Sequence, residues 1–404
     1  MASPPAMIIF YTGCVVLAAK KTSLFYNPTF RALLFQALAA AALAYVIYSI
    51  INNTLTNLDQ RGIATGFGFL TQEAGFGIGL SLIDYDETYS YGRTFFVGLL
   101  NTALVSVLGI FLATILGFVI GIARLSSNWL VSRFAAVYIE TFRNIPLLLQ
   151  IFFWYFAVLQ ALPSPRNSLS FGESVFLNVR GLYIAKPIFE QNAYWIGLAL
   201  ITAVVLSISY TIYAKRKQKA SGQQSPILWV SLSLLIVLPT IAYFASGQPV
   251  HMEPPVLKGF NFRGGIGIIP ELAALLLALS IYTASFIAEI VRAGINAVSH
   301  GQTEAALSLG LPQGKTLRLV VIPQALRIII PPLTSQYLNL TKNSSLAMAI
   351  GYPDLVSVFA GTTLNQTGQA IEIIVMTMAV YLTLSLLTSL LMNIYNRKVA
   401  LVER

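Results

Sequence analysis

Residues 299–327 read SHGQTEAALSLGLPQGKTLRLVVIPQALR, a polar stretch set between apolar runs long enough to cross a bilayer. Glu304-Ala305-Ala306-Leu307-Ser308-Leu309 is a good local helix former. Gly310 stands where a helix end wants a positive φ, and Pro312 follows at the usual distance. The pattern predicts a short exposed helix, a break, and a second helix from about Gln313. His300, Lys315, Arg318 and Arg327 make the loop basic. A short helix in a charged loop between spans has nothing in its own chain to pack against, so it is expected to pack against another protein.

Working outward, the composition fits that loop's setting. The 404 residues are 56% hydrophobic and 10% charged, and mean hydropathy is +0.73. A soluble chain carries about 25% charged residues. Several apolar runs reach the roughly 20 residues that cross about 30 Å of hydrocarbon. The runs are continuous rather than alternating, so the expected fold class is an all-α integral membrane protein with about eight transmembrane helices, not a barrel. The net charge of +10 is read as Lys and Arg holding cytoplasmic loops rather than as a nucleic-acid surface. Cys14 is the one cysteine, so no intrachain disulfide can form.

Spans are expected at Ala32 to Ile51, Phe95 to Ala123, Phe134 to Leu162, Tyr194 to Ala214, Ile227 to Ser246, Ile269 to Ile290, Ile328 to Ile350 and Ile371 to Tyr395. The apolar run at residues 6–19 is short and is followed, not preceded, by Lys20 and Lys21, which reads as a tail or interfacial segment rather than a signal peptide. Lys215, Arg216, Lys217 and Lys219 mark the inside most strongly. The 299–327 loop then lies inside, and both termini are cytoplasmic. Residues 52–92, 163–192, 247–267 and 351–369 become outer loops. Gly68-Phe69-Leu70 and Ala74-Gly75-Phe76 read as amphipathic turns on the membrane face.

Charged and polar groups inside spans mark function more often than charges in loops do. Glu140 and Arg143 sit three apart, about 10–14 Å into the third span, and can neutralise each other on one helix face. Glu289 and Arg292 repeat the spacing. Both pairs fit either a structural role or a polar path. The seventh span is the least apolar, with Gln336, Asn339, Lys342 and Asn343, and Ser344 and Ser345 close by. With a helix restarting near Pro331-Pro332, Lys342 falls about 17–21 Å from the inner surface, around mid-membrane. It either snorkels to the outer headgroups or lines a cavity where its ammonium attracts a solute carboxylate.

Enzyme motifs are sparse. His251 and His300 have no metal partner at ligand spacing. Gly310 to Thr316 resembles a phosphate loop but has three residues between its glycines where Walker A needs four, and no buried strand precedes it.

The stretch Gly301-Gln302-Thr303-Glu304-Ala305-Ala306, then Gly310, then Ile322-Pro323-Gln324-Ala325, resembles the EAA loop of membrane subunits of ABC importers. Residues 288–295 (AEIVRAGI), residues 140–150 (ETFRNIPLLLQ) and Lys342-Asn343-Ser344-Ser345-Leu346 resemble the polar amino-acid permeases of the histidine and glutamine branch. Four separated motifs stand in the family's order. The extra first span and the additional pair of spans resemble the longer permeases of general amino-acid uptake. The resemblance implies a type I permease domain at 93–397, with an insertion at about 163–267. Residues 1–92 and 398–404 are then a leading segment and a tail. It implies an EAA coupling helix in which Gly301, Glu304, Ala305, Ala306, Gly310 and Pro312 meet the ATPase. It also implies a substrate path that includes Glu140, Arg143 and the 336–345 group. No cofactor is expected on this chain, and ATP and Mg belong to a partner ATPase dimer. A second homologous permease, a periplasmic amino-acid-binding protein, membrane lipids and a bacterial inner-membrane location complete the picture. The competing class is a self-sufficient secondary transporter or channel; such proteins often carry inverted repeats of equal size, and none is visible here.

Overall fold

A computed structural model describes residues 28–60, 62 and 65–399. The apolar run at 6–19 and the last residues of the tail, 400–404, lie outside the described residues. The chain divides into two units, 1–65 and 66–404. In the first, α1 (Pro28–Gln60) runs nine residues beyond the span expected to end at Ile51.

The second unit is a helical bundle. Its main elements are α2 (Tyr91–Arg124), α3 (Trp129–Asn144), α4 (Leu147–Phe152), α5 (Tyr194–Ser221), α6 (Ile227–Ala245), α7 (Pro270–Asn296), α8 (His300–Ser308), α9 (Gln313–Thr316), α10 (Ile322–Asn343), α11 (Leu364–Thr367) and α12 (Ala370–Val399). Among the described residues seven helices are long and apolar enough to cross a membrane, or eight when the bent pair α3 and α4 counts as one span.

Helix association in lipid relies on close van der Waals packing, so small residues mark the contacts. The buried stripe of α2 is rich in them: Gly98, Thr102, Ser106, Gly109, Ala113, Gly117 and Gly121. A Cβ added at Gly117 would lie 2.6 Å from Ile287 Cβ, and one at Gly121 would lie 2.8 Å from the Ala288 carbonyl oxygen. Both neighbours are on α7. Gly109 meets Leu340 of α10, and Gly294 of α7 meets Ile329 of α10. Three helices are thus drawn together at points where a side chain would not fit.

A polar lock closes the end of this bundle opposite α8. Asn101 Nδ2 donates to the Leu80 and Pro353 carbonyls, both at 2.8 Å. The Thr102 hydroxyl accepts from Leu355 N at 3.0 Å. Asp354, fully buried, accepts from Ser357 N at 2.8 Å and from the Tyr381 hydroxyl at 3.3 Å. Residues 352–363 of the expected outer loop are therefore packed into the bundle, while Asn365, Gln366 and Gly368 stay exposed. Tyr352, Leu355, Val358 and Phe359 are buried, and 356–363 wind as a wide π turn. The turn at Phe69 also differs from expectation. Its ring is 1% exposed and packs with Tyr91 and Phe359, so residues 66–92 join the bundle instead of lying on the membrane face.

The third span is not one helix. It bends by 106° between α3 and α4, because the residue before a proline avoids the helical region and Ile145 before Pro146 is extended. Gln150, buried, braces the corner by donating to the Phe142 and Ile145 carbonyls at 3.0 and 2.9 Å. The opposite correction applies to α10. It runs unbroken through Pro331 and Pro332, where a restart was expected, while the disturbance lies earlier. Pro323 has no N–H to donate to Leu319, and residues 317–321 just before α10 widen into a π turn.

The insertion contains strands where short, Pro- and Gly-rich segments suggest only loops. β1 (Leu169–Phe171), β2 (Val175–Asn178), β3 (Gly181–Ile184) and β8 (Ile266–Ile268) form an antiparallel sheet in that order; β4 (Lys186–Phe189) pairs β5 (Val250–Glu253), and β6 (Val256–Lys258) pairs β7 (Asn261–Arg263). The ladders Lys186↔Glu253 and Ile184↔Ile266 tie the two loops together. No described residue of α6 is buried, and α5 buries only Ala203, Ser207 and Ala214.

Two outcomes follow from this packing. Gly121→Val should lower stability by about 1–3 kcal/mol through overpacking, and adding Val291→Ala should restore part of it; thermal unfolding in detergent measures both. Because Ile184 and Ile266 are register partners, replacing residues 185–265 with an Asn-Gly turn should leave a monodisperse bundle on size-exclusion chromatography. Aggregation at normal expression would show that α5 and α6 belong to the core.

Candidate functional site

The loop after α7 folds as a helix with a stop. Leu309 N donates to Ala305 O, Gly310 N to Leu307 O at 2.9 Å, and Leu311 N to Ala306 O at 3.2 Å. The last two bonds make a Schellman end, which needs a left-handed residue after the cap; Gly310 has φ +79°. Pro312 then opens α9, its carbonyl accepting from Lys315 and Thr316 N–H groups. One side of α8 rests on the bundle through Ala306 and Thr303, and Gln324 Nε2 donates to Gln302 Oε1 at 3.2 Å across to α10. The other side presents Gly301, Glu304 and Ala305, with Leu309 at the tip 82% exposed. Gly310 and Pro312 are exposed as well.

The second constellation lies on α10. Leu333, Tyr337, Leu340, Thr341 and Ser344 are buried on one side. Asn339 and Lys342 are exposed on the other, flanked by half-buried Gln336 and Asn343. Ser344, grouped with the polar path from sequence, is turned into the bundle and donates to Thr341 O at 2.7 Å; Ser345 is half-buried and donates to Lys342 O at 2.8 Å. Lys342 forms no ion pair among the described residues. Its level follows from packing: Leu340 meets Gly109, which stands about 27 Å from the start of α2 and about 22 Å from its end. Lys342 is thus near the middle of the bundle, even though α10 starts earlier than expected.

Lys342 also borders a groove of about 480 Å³ between α10 and α12, with Ser345, Val356, Thr377, Met378, Tyr381, Leu382 and Ser385 around it. The α12 members were not legible from sequence as site residues. Their signal was the spacing of Thr377, Tyr381 and Ser385, four apart on one helix face.

Glu140 and Arg143 do not pair. Both are exposed in the last turn of α3, and the Arg143 guanidinium lies over the Phe286 ring of α7, 5.2 Å from its centroid. Residues 289 and 292 do pair: Arg292 Nη2 and Nε meet the two Glu289 oxygens at 2.6 and 3.0 Å, a bidentate geometry that suits a guanidinium.

Comparison with known proteins supplies a family. The binding-protein-dependent transport system inner membrane component family matches residues 222–401. The chain is 59% identical to the putative amino-acid ABC transporter permease protein YhdX of Escherichia coli, over 94% of this chain and 97% of that one. It is 53% identical to the general L-amino acid transport system permease protein AapQ of Rhizobium johnstonii, over 95% of each. It is 42% identical to the glutamate/glutamine/aspartate/asparagine transport system permease protein BztB of Rhodobacter capsulatus, over 94% of this chain and 96% of that one.

The end of α8 is testable on its own. Nothing lies within 4 Å of where a Gly310 Cβ would sit, so Gly310→Ala should be felt through backbone strain alone, about 1 kcal/mol. Asparagine tolerates the left-handed region better. Hydrogen exchange at the Gly310 and Leu311 amides should therefore quicken in Gly310→Ala and less so in Gly310→Asn.

Proposed function

The chain belongs to the amino-acid ABC transporter permeases, and we propose that it forms one half of a pathway carrying polar L-amino acids inward across the bacterial inner membrane. ATP and Mg bind a separate ATPase dimer that docks on α8, and a periplasmic amino-acid-binding protein delivers the solute. A second, homologous permease completes the pathway. Both termini and the 299–327 loop are cytoplasmic in this reading.

The observation that carries it is the open polar side of α10. A lone charge at mid-bilayer costs about 2.5–3.5 kcal/mol on insertion scales, and Lys342 at mid-bundle has no ion-pair partner among the described residues. Amide groups of Gln336, Asn339 and Asn343 accompany it. Facing lipid, that stripe would be unstable; facing a second permease across a wet path, it is solvated. The ammonium then attracts the solute carboxylate, while the side-chain oxygens accept from the solute ammonium. In this reading Glu140 and Arg143, exposed in the last turn of α3 with Arg143 over Phe286 of α7, line the path on the α8 side of Lys342. On α8, Glu304 and the Leu309 tip offer the ATPase a polar contact beside an apolar one, and the Gly310 and Pro312 turn fixes their direction.

Lys342→Met keeps the length and apolar stem. Transport should fall about tenfold, equivalent to about 1.4 kcal/mol, with Lys342→Arg in between because a guanidinium keeps the charge but not the compact shape. Uptake of labelled acidic, neutral and basic amino acids by the reconstituted transporter measures this. Normal rates for all three would instead favour a lysine that snorkels to the headgroups. Separately, Glu304→Lys should leave membrane insertion intact and weaken recovery of the ATPase on co-purification.

A further inference from the structure

The groove between α10 and α12 has a second wall that the polar side of α10 does not explain. At about 480 Å³ it falls within the roughly 300–1,000 Å³ of small-molecule sites. Val356, Met378 and Leu382 make its apolar part, and Lys342, Ser345, Thr377, Tyr381 and Ser385 its polar part; the Ser345 and Thr377 hydroxyls are already used on backbone carbonyls. No carboxylate among the described residues lines it.

Ser385 is the telling residue. Helical hydroxyls commonly bond the carbonyl four residues back, and α12 shows the habit: Thr377 donates to Ile373 O at 2.8 Å, Thr383 to Ala379 O at 2.7 Å and Thr388 to Leu384 O at 2.8 Å. Ser385 departs from it. Its Oγ is buried and has no hydrogen-bond partner, although it borders the groove. A buried hydroxyl without a partner is destabilising, and a rotation of this side chain toward the groove it borders would let it meet a group there. Ser207 and Ser280 also have unpartnered hydroxyls, but neither lines this groove. Tyr381, one turn before Ser385, is held from behind, its hydroxyl donating to buried Asp354 at 3.3 Å. Asp354 is in turn fixed by the Ser357 amide at 2.8 Å. The wall beside Ser385 is therefore anchored to the polar lock rather than free to swing.

We infer that this groove is a subsite for the carboxylate-bearing end of an L-amino acid, with Ser385 on α12 donating a hydrogen bond to the carboxylate that Lys342 on α10 attracts. The inference rests on the reading of α10 as a wall of the path. A carboxylate supplies acceptors to both an ammonium and a hydroxyl, whereas a cationic group in the same place would meet Lys342 and no acid. Tyr381 acts as a positioning residue, setting the distance between the two donors through its tie to Asp354. Because every amino acid carries the carboxylate, the subsite serves acidic, neutral and basic solutes alike, and the apolar part accommodates the carbon skeleton.

The test is uptake of labelled L-glutamate, L-glutamine and L-arginine by the complete reconstituted transporter, with co-purified ATPase as the control for assembly. Ser385→Ala should lower uptake of all three by a similar factor, about tenfold for a lost bond to a charged group. Ser385→Thr, which keeps the hydroxyl, should recover most of it. The double variant Lys342→Met with Ser385→Ala should fall little below Lys342→Met alone, because both groups hold one carboxylate. Tyr381→Phe should lower uptake of all three solutes while the ATPase still co-purifies. Normal uptake by Ser385→Ala beside impaired uptake by Lys342→Met overturns the subsite and leaves the polar path standing; normal uptake by both overturns both. A double variant that loses the full product of the single effects, or a Ser385→Ala loss that tracks lost ATPase, also overturns the subsite.

Discussion

The close approach of α2 and α7 at Gly117 and Gly121 is the contact on which the other placements depend. In hydrocarbon there is no water to drive apolar faces together, so two helices stay paired only where their surfaces fit and dispersion acts over many atoms. With no side chain at these two positions, Ile287 and Val291 can sit against the α2 backbone. α7 then offers Gly294 to Ile329, and α2 offers Gly109 to Leu340, which together fix α10. Which side of α10 is buried, and therefore which side stays open, follows from those two glycine contacts.

The polar lock at the other end depends on the same frame. Asn101 and Thr102 lie on the stripe of α2 that carries Gly98 and Gly109, and a Cβ at Gly98 would lie 2.9 Å from Leu355 Cα. The backbone of 353–355 is thus held against α2 at a distance where side-chain groups on α2 can reach its amides and carbonyls. In a water-poor interior each such group must find a partner, and Asn101, Thr102, Asp354 and Tyr381 supply them. The lock thereby links α2 to α12 through the segment that follows α10.

Local chemistry decided what could be read in advance. The end of α8 was legible because glycine before a proline-led helix has few other uses, and Gly310 does take the left-handed region. The polar stripe of α10 was legible from spacing alone. The right-angle corner at Pro146 was written in the sequence, but the apolar run continues through it, and hydropathy outweighed the proline. At Pro331 and Pro332 the error ran the other way: neighbouring helices held α10 straight where local rules expected a break. The packing of residues 351–369, the strands of the insertion and the α12 wall of the groove all depend on which segments meet in space, and a hydropathy pattern does not encode that. Ser344 shows the finest case. Three consecutive polar residues, Asn343, Ser344 and Ser345, read as one patch, yet at about 100° per residue the middle one turns into the bundle.

The same geometry sets a mechanical relation between the two constellations. From Ile322 to Asn343 there is one uninterrupted helix, so the open polar side that carries Lys342 moves with the start of α10. Between that start and α8 lie α9 and the π turn at 317–321, whose wider winding and missing Pro323 donor leave it less firmly bonded than the helix beyond. The Gln302 to Gln324 bond bypasses this soft stretch and ties α8 directly to the first turn of α10. A force applied at α8 therefore has two routes into α10, one compliant through the π turn and one short through the glutamine bridge. The bridge is one exposed side-chain bond, so it works together with the packing of Ala306 and Thr303 against the bundle and biases the start of α10 rather than carrying a force alone.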